Sequence, residues 1–354
     1  MLKNFWYACE FSSAVTKNPQ QIAMLNQKFV LYRNSQGQVV VLKDQCSHRG
    51  AALSMGWLED NCIRCPYHGW KFQADGKCVQ IPSNDIGVPI PKKANVNSYP
   101  VQEKYGFIWL FYGDLPESER PPIPALPEFD DPNLHRSFLD FSVNTHYTRV
   151  IENALDVSHS PIVHANSFGA GFAEDSRFEM YDIQDESWGI SAKSKYKNYT
   201  KPKGLFKLFF REKSTDINLK CTFYLPNITK LETSSNSIKI VNFAIHLPVD
   251  ENTTISKRIH FRSFLRYSWL DGIFLKYYTK IHGEDITVSE SQYPKVIPES
   301  LSTEVHVNAD AFTLNYRQLR QKYLAMGWGL KANKIASDNF QKNQIQHFDT
   351  AFRN

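Results

Sequence analysis

Cys46-Ser47-His48 and Cys65-Pro66-Tyr67-His68 stand either side of residues 49 to 64, and no other feature constrains the chain so strongly. Each short segment offers one thiolate and one imidazole. Such a set can hold a [2Fe–2S] cluster with both cysteines on one iron and both histidines on the other. Zinc is the competing metal, because Cys2His2 is also a tetrahedral structural set. A zinc finger, however, groups its two cysteines before its two histidines, whereas here each loop supplies one of each. The spacing therefore favours a cluster with chemically different irons. Gly50, Gly69 and Pro66 flank the ligands and suit tight loops whose backbone amides approach cluster sulfurs.

Ligand type sets the redox role. Neutral imidazoles in place of two thiolates leave less negative charge on the cluster, and potentials for this ligation run from about −150 to +300 mV against about −400 mV for plant-type clusters. The chain is thus expected to handle single electrons. Its 354 residues exceed one cluster module, and two domains are expected. Hydrophobic residues at 42% and aromatics at 14% supply a sizeable core.

The charge pattern excludes one class of partner. A net charge of +5, from 41 basic and 36 acidic residues mixed along the chain, is no nucleic-acid footprint. The basic clusters Lys195 to Lys203 and Lys207 to Lys213 read as solvated loop faces, with an acidic electron donor as the alternative use. Cys9, Cys62, Cys78 and Cys221 form no disulfide framework and are expected to be ordinary buried thiols in a reducing compartment. The N-terminus has no secretory signal and no apolar run is long enough to cross a membrane, so a cytoplasmic protein is expected. The aromatic stretches at 204–210 and 264–278 are the nearest candidates for surface membrane contact, and core or pocket lining is the favoured reading.

Residues 20 to 112 read as short antiparallel strands: Ile22–Leu25, Lys28–Arg33, Val39–Leu42 after the turn at Asn34–Gly37, a hairpin turn at Asp75-Gly76, and an apolar strand over Gly106–Tyr112. Prolines between Leu115 and Pro127 mark a boundary. Beyond it, helical segments (146–160, 267–293, 308–326) mix with strands (137–143, 219–225, 238–247, 254–263), which makes the second domain α+β. The expected division is 1–115, 128–331 and a polar extension at 332–354. No repeat or glycine-rich nucleotide loop is present, so flavin and nicotinamide chemistry belong to another protein.

The second half carries Asn153-Ala-Leu-Asp156-Val-Ser-His159-Ser-Pro161-Ile-Val-His164. Asn153, Asp156 and His159 recur every three residues and would form a polar stripe on a helix. His164 falls off that stripe, since histidines five apart on an unbroken helix diverge by about 140°. Pro161 would clash with the carbonyl of Val157 in a straight helix, and a bend there can turn both imidazoles toward one ion. Two histidines and a carboxylate make the facial triad of non-haem Fe(II) oxygenases. In the helix around 278–292, Tyr278, Ile281, Asp285, Val288 and Gln292 share an inward stripe, so Asp285 is the expected acid. Glu284, on the face of Lys280 and Thr287, is expected to be solvated, and His282 and Glu290 to have ordinary surface or core roles, with support of the metal ligands as the alternative. Phe168, Phe172, Phe223, Tyr224 and Phe243 suggest an apolar pocket, much of it explicable as core.

Cys46-Ser-His-Arg-Gly-Ala-Ala-Leu-Ser-Met-Gly56, Cys65-Pro-Tyr-His-Gly-Trp-Lys-Phe72 and the Asn153–His164 segment together resemble the Rieske non-haem iron oxygenases, and Glu284-Asp285 resembles their third-ligand segment. The likeness runs from about residue 4 to 330, including Glu304 to Asp310. It is nearest in character to the branch of pheophorbide oxygenase-like and saxitoxin-pathway enzymes. The resemblance implies a small antiparallel β Rieske domain before an α+β helix-grip (START-like) catalytic domain. It implies a [2Fe–2S] cluster on Cys46, His48, Cys65 and His68, and mononuclear Fe(II) on His159, His164 and Asp285. It further implies a head-to-tail homotrimer in which Asp156 connects His68 of one subunit to His159 of the next, with Asn153 helping to orient the ligands. Electrons would come from a separate ferredoxin or reductase, and dioxygen would hydroxylate or oxidatively demethylate a small, cyclic or aromatic organic substrate. Ring cis-dihydroxylation is the alternative outcome, and a Rieske electron carrier without oxygenase activity is the alternative class.

Overall fold

The computed structural model describes residues 1–172, 181–200, 214–235 and 238–330. The extension expected at 332–354, the stretch 204–210 and the cluster Lys207 to Lys213 lie outside the described residues. In the N-terminal part, β1 (Phe5–Phe11) pairs with β10 (Phe107–Tyr112) and β10 with β9 (Val101–Lys104), while β2 (Gln20–Met24), β3 (Gln27–Arg33) and β4 (Val39–Lys43) form a second antiparallel sheet. A third sheet holds β5 (Trp57–Glu59), β6 (Cys62–Arg64), β7 (Lys71–Phe72) and β8 (Cys78–Gln80). The expected strands are present to within two residues, and the Asp75-Gly76 turn joins β7 to β8.

The C-terminal part is one seven-stranded antiparallel sheet. Its order is β11 (His135–Val143), β17 (Thr254–Arg262), β16 (Lys239–Pro248), β15 (Ile228–Ser234), β14 (Ser214–Tyr224), β13 (Gly189–Thr200) and β12 (Tyr181–Glu186). The helices are α1 (Tyr147–Leu155), the single turn α2 (Ser160–Val163), α3 (Asp271–Ser291) and α4 (Ala311–Tyr323). Helix α1 packs on β14, β15 and β16, α3 on β11 and α1, and α4 on β13 and α1. Asp271 starts α3, where its negative charge suits the helix N-terminus, and Oδ1 also accepts from Arg262 Nη2 at 2.6 Å. Pro294 follows its end and disfavours helical backbone in the residue before it.

Strands β1 and β10 explain themselves by burial on both faces. Phe5, Tyr7, Ile108 and Leu110 join a core with Tyr147, Phe223 and Tyr316, whereas Trp6, Phe107, Trp109 and Phe111 join another with Val241, Phe243, Ile259 and Phe261. A strand buried on both sides reads as a continuous apolar run, as Phe107-Ile-Trp-Leu-Phe-Tyr112 does. Each such large side chain contributes about 1.5–3 kcal/mol by leaving water. The two parts of the chain are therefore packed together through shared cores. Ile123 and Leu126, inside the proline-rich passage, are buried there as well.

Several expectations need correction. Lys195 is on strand β13, 2.9 Å from Asp216, and not on a loop face. The alternation there is weakly apolar, so composition suggested a loop. Strand β15 was also not foreseen, because Ile228-Thr-Lys-Leu-Glu-Thr-Ser234 mixes polar residues into a partly buried strand. In the 264–278 stretch Phe274 and Tyr278 are buried as expected, but Tyr267, Trp269 and Ile273 are exposed. Phe223 and Phe243 belong to the cores and Tyr224 packs beside one of them.

A cluster module and a candidate metal centre

The two ligand loops share one construction. Gly50 donates its amide to Cys46 O at 2.9 Å and Gly69 to Cys65 O at 3.0 Å, while Cys46 N donates to Ala51 O and Cys65 N to Trp70 O at 2.8 and 2.9 Å. Both glycines have positive φ, 76° and 70°, a conformation that side chains resist. Cys46 and Cys65 are buried, His48 and His68 exposed. The imidazoles lie side by side with centroids 4.5 Å apart, and Trp70 stacks on His48 at 4.6 Å. Burial, and then the neighbouring Cys65, push the Cys46 thiol up to about 11, a cost that a bound cation must offset for the thiolate to form. Two buried thiols beside two exposed imidazoles fit a two-iron cluster with thiolates on one iron and imidazoles on the other.

The second centre forms where α1 stops. Helix α1 ends at Leu155, and Asp156 is extended (φ −78°, ψ 125°). Asp156 Oδ1 accepts from the amide and hydroxyl of Ser158 at 2.7 and 2.5 Å, a local turn that competes with the next helical hydrogen bond. The chain thus bends at Asp156 and not at Pro161, which instead occupies the first turn of α2, where its missing amide hydrogen costs nothing. Consequently Asn153, Asp156 and His159 do not share a helical stripe. The bend nevertheless does what was expected of it and faces both imidazoles toward α3.

There His159 Nε2, His164 Nε2 and Asp285 Oδ1 form a near-equilateral triangle with sides of 3.3, 3.4 and 3.2 Å. An ion about 2.1 Å from each atom would see them about 100° apart, between octahedral and tetrahedral values. Each imidazole turns its other nitrogen to a carboxylate. His164 Nδ1 donates to Glu284 Oε2 at 2.9 Å, and His159 Nδ1 lies 3.5 Å from Asp156 Oδ2, close but without a well-directed hydrogen bond. Asp285 Oδ1 is buried and faces both Nε2 atoms, yet it accepts no well-directed hydrogen bond. Only a cation or added protons can make that convergence stable. Burial pushes the Asp285 carboxyl up, yet His159, His164 and His282 override it and hold it well below the ordinary range. Burial likewise lowers the His159 imidazole, but Asp156 and Asp285 raise it to about 9. The N2O donor set with one side open fits mononuclear iron.

Glu284 is the main correction at this site. It was expected to be solvated, but Oε2 also accepts from Ser167 Oγ at 2.7 Å, and the side chain is 18% exposed. Periodicity could not find it, because α3 meets α2 as well as the sheet and so buries a second face. Within the expected stripe Tyr278 is buried, Asp285 is largely covered and Val288 is exposed. Glu290 accepts from Asn144 and ties α3 to the end of β11. His282 has Nδ1 3.7 Å from Asp285 Oδ2, and burial followed by Arg258 lowers it to about 4.

The triad forms part of the wall of a cavity of about 220 Å³, lined mainly by apolar side chains that include Phe168, Phe172, Ile217, Leu231 and Ile281. Asn153 and Asp156 also line it, but Asn153 makes no described contact with either histidine. Arg258, Asn242 and His260, on β17 and β16, were not foreseen as lining or second-row groups. The signal was present in β17, where Ser256, Arg258, His260 and Arg262 alternate as a polar face on a strand whose other face, Ile259 and Phe261, is core.

Comparison with known proteins then settles the family. Residues 5–100 match the Rieske [2Fe-2S] domain, and residues 143–326, over half the chain, match the vanillate O-demethylase oxygenase C-terminal domain. The chain belongs to the Rieske oxygenase family. Chlorophyllide a oxygenase of Chlamydomonas reinhardtii is 35% identical over 176 residues, covering 48% of this chain and 26% of that protein. The vanillate O-demethylase oxygenase subunit of a Pseudomonas species is 33% identical over 168 residues, covering 47% of this chain and 46% of that protein. The matches thus span about half or less of these relatives. Among solved structures, a Pseudomonas putida NdmA variant with theobromine superposes with a TM-score of 0.74 at 27% identity, covering 92% of both chains. The expected order, a small antiparallel β Rieske domain followed by a catalytic domain of sheet and helices, is present. In this family the catalytic domain binds mononuclear iron. Among the described residues no helix is long and apolar enough to cross a membrane.

Proposed function

We propose that this Rieske oxygenase uses dioxygen and electrons from a separate ferredoxin or reductase to hydroxylate or oxidatively demethylate a small cyclic organic substrate. The observation that carries the reading is the 3.2–3.4 Å triangle of His159, His164 and Asp285 opening on an apolar cavity, in a chain that also has the cluster loops. Cys46, His48, Cys65 and His68 hold the cluster; His159, His164 and Asp285 hold iron. Iron bound there supplies the activation of dioxygen as electrons arrive singly. Asp156 and Glu284 orient the two imidazoles so that both Nε2 atoms face the ion. The apolar wall positions the substrate and keeps bulk water from the reacting atoms.

The chain divides functionally at 1–115 and 128–331. It works as a head-to-tail homotrimer, with Asp156 joining His159 to His68 of the partner subunit. Exposure of His68 and the 3.5 Å approach of Asp156 to His159 support that role. Cys9, Cys62, Cys78 and Cys221, buried and outside any disulfide, support a reducing, cytoplasmic location. Mono-oxygenation is favoured over ring dihydroxylation by the vanillate O-demethylase and chlorophyllide oxygenase likenesses. The test is a single turnover: anaerobically reduced protein is mixed with candidate cyclic compounds and dioxygen, and product mass is followed with cluster absorption. Oxygen incorporation coupled to cluster reoxidation is expected. Cluster reoxidation with no oxygenated product from any compound would favour an electron carrier.

A further inference from the structure

Resting on the oxygenase reading, we propose that the cavity takes a substrate bearing one anionic group, a carboxylate or sulfonate on a ring, held by Arg258 and Asn242. Arg258 lines the cavity from β17, and among the described residues it has no carboxylate partner. Its described contacts are Nε donating to Ser256 Oγ at 3.1 Å and the guanidinium over the Phe141 ring at 5.2 Å. Of the buried arginines, three have carboxylate partners, whereas Arg320, like the half-buried Arg258, has none among the described residues. Arg149 and Arg317 reach Glu304 at 2.7 and 2.6 Å, and Arg262 reaches Asp271 at 2.6 Å. Arg258 is half-buried on the cavity wall, so its guanidinium can donate to whatever fills the cavity.

The surroundings point the same way. Burial draws Arg258 down to about 10, which leaves it protonated at neutral pH, and Asp285 is the charge that opposes the shift. His246 and His260 nearby are both held low by burial, so neutral imidazoles flank the cation. His260 Nδ1 donates to Asn242 Oδ1, which fixes that amide and leaves Nδ2 as a donor at the cavity wall. Asn242 pairs with His260 and Ala244 with Arg258 across β16 and β17, so Asn242 and Arg258 are diagonal neighbours on one face. Side chains so placed are about 7 Å apart at their bases and can meet on one oxyanion. Guanidinium is the group suited to two oxygens of a carboxylate or sulfonate. With a divalent ion bound, that ion and Arg258 exceed the lining carboxylates Asp156 and Asp285 by one positive charge, which a monoanion cancels.

The test is anaerobic calorimetry on the iron- and cluster-loaded protein with benzoate, benzenesulfonate and neutral benzamide. At least one of the two anions should bind about tenfold or more tightly than benzamide, as expected for charge-assisted hydrogen bonds in a buried site. Arg258→Gln should abolish that preference, Arg258→Lys should retain part of it, and Asn242→Ala should weaken the anion severalfold. Cluster absorption and iron content verify folding; if Arg258→Gln does not fold, Arg258→Lys and Asn242→Ala decide. Equal binding of benzamide, no binding of either anion, or an undiminished preference in the variants overturns the proposal. Such a failure with coupled oxygen incorporation intact leaves the oxygenase reading standing, and anion preference without oxygen incorporation does the reverse.

Discussion

Replacing Glu284 by alanine should loosen the mononuclear iron without touching the cluster. Glu284 Oε2 receives hydrogen bonds from His164 Nδ1 at 2.9 Å and Ser167 Oγ at 2.7 Å, and the His164 imidazole is only 3% exposed, so water cannot easily replace the lost acceptor. A charge-assisted hydrogen bond of this kind is worth about 1.5–3 kcal/mol. If most of that holds Nε2 toward the ion, iron affinity falls about 10–100-fold, the range typical of groups that orient metal-bound imidazoles. Glu284→Gln keeps an acceptor oxygen in the same place and should lose about fivefold or less, an estimate for one neutral in place of one charged hydrogen bond. The assay is anaerobic competition between protein and a chelator, with cluster absorption as the internal control. An alanine variant that holds iron within about twofold of wild type would show that Glu284 does not orient His164, since the expected loss is at least about tenfold.

Three further outcomes are expected. Asp156→Asn should keep both metals and the cluster spectrum but slow cluster reoxidation in single turnover, and an unchanged rate would contradict its bridging role. Gly169→Ala would place a Cβ 2.5 Å from Ser160 O and 2.6 Å from His164 C and O, all backbone, so the turn carrying His164 must open; iron occupancy and melting temperature should both fall. Arg317→Met removes a buried partner of Glu152 and Glu304 and leaves Arg149 to face both carboxylates. Breaking such a network costs about 3 kcal/mol, allowing for the partial exposure of Glu304, and denaturant unfolding showing a loss well below that would sink the assignment of this cluster as the anchor of α1.

What the sequence disclosed followed from how local each signal was. The cluster loops were readable because ligand, glycine and proline sit within five residues of one another, and the loop hydrogen bonds are equally local. The convergence of His159 and His164 was readable too, although its cause was misplaced: Pro161 drew attention, while the bend is made by Asp156 capping its own turn. Asp285 followed from helical periodicity. Glu284 did not, because its burial depends on α2 and Ser167, residues more than a hundred positions away that no one-helix pattern contains. Strand β13 was lost beneath its lysines, and the polar face of β17 has meaning only once a cavity lies against it.

His159, His164 and Asp285 are proposed to form a second iron centre for the electrons the cluster delivers. Iron per chain, measured by elemental analysis on protein with a fully formed cluster, tests it most directly when wild type and Asp285→Ala are compared. Three irons in the wild type and two in the variant, with identical cluster absorption, is the result expected. Two irons in both proteins would contradict the account and leave an electron carrier.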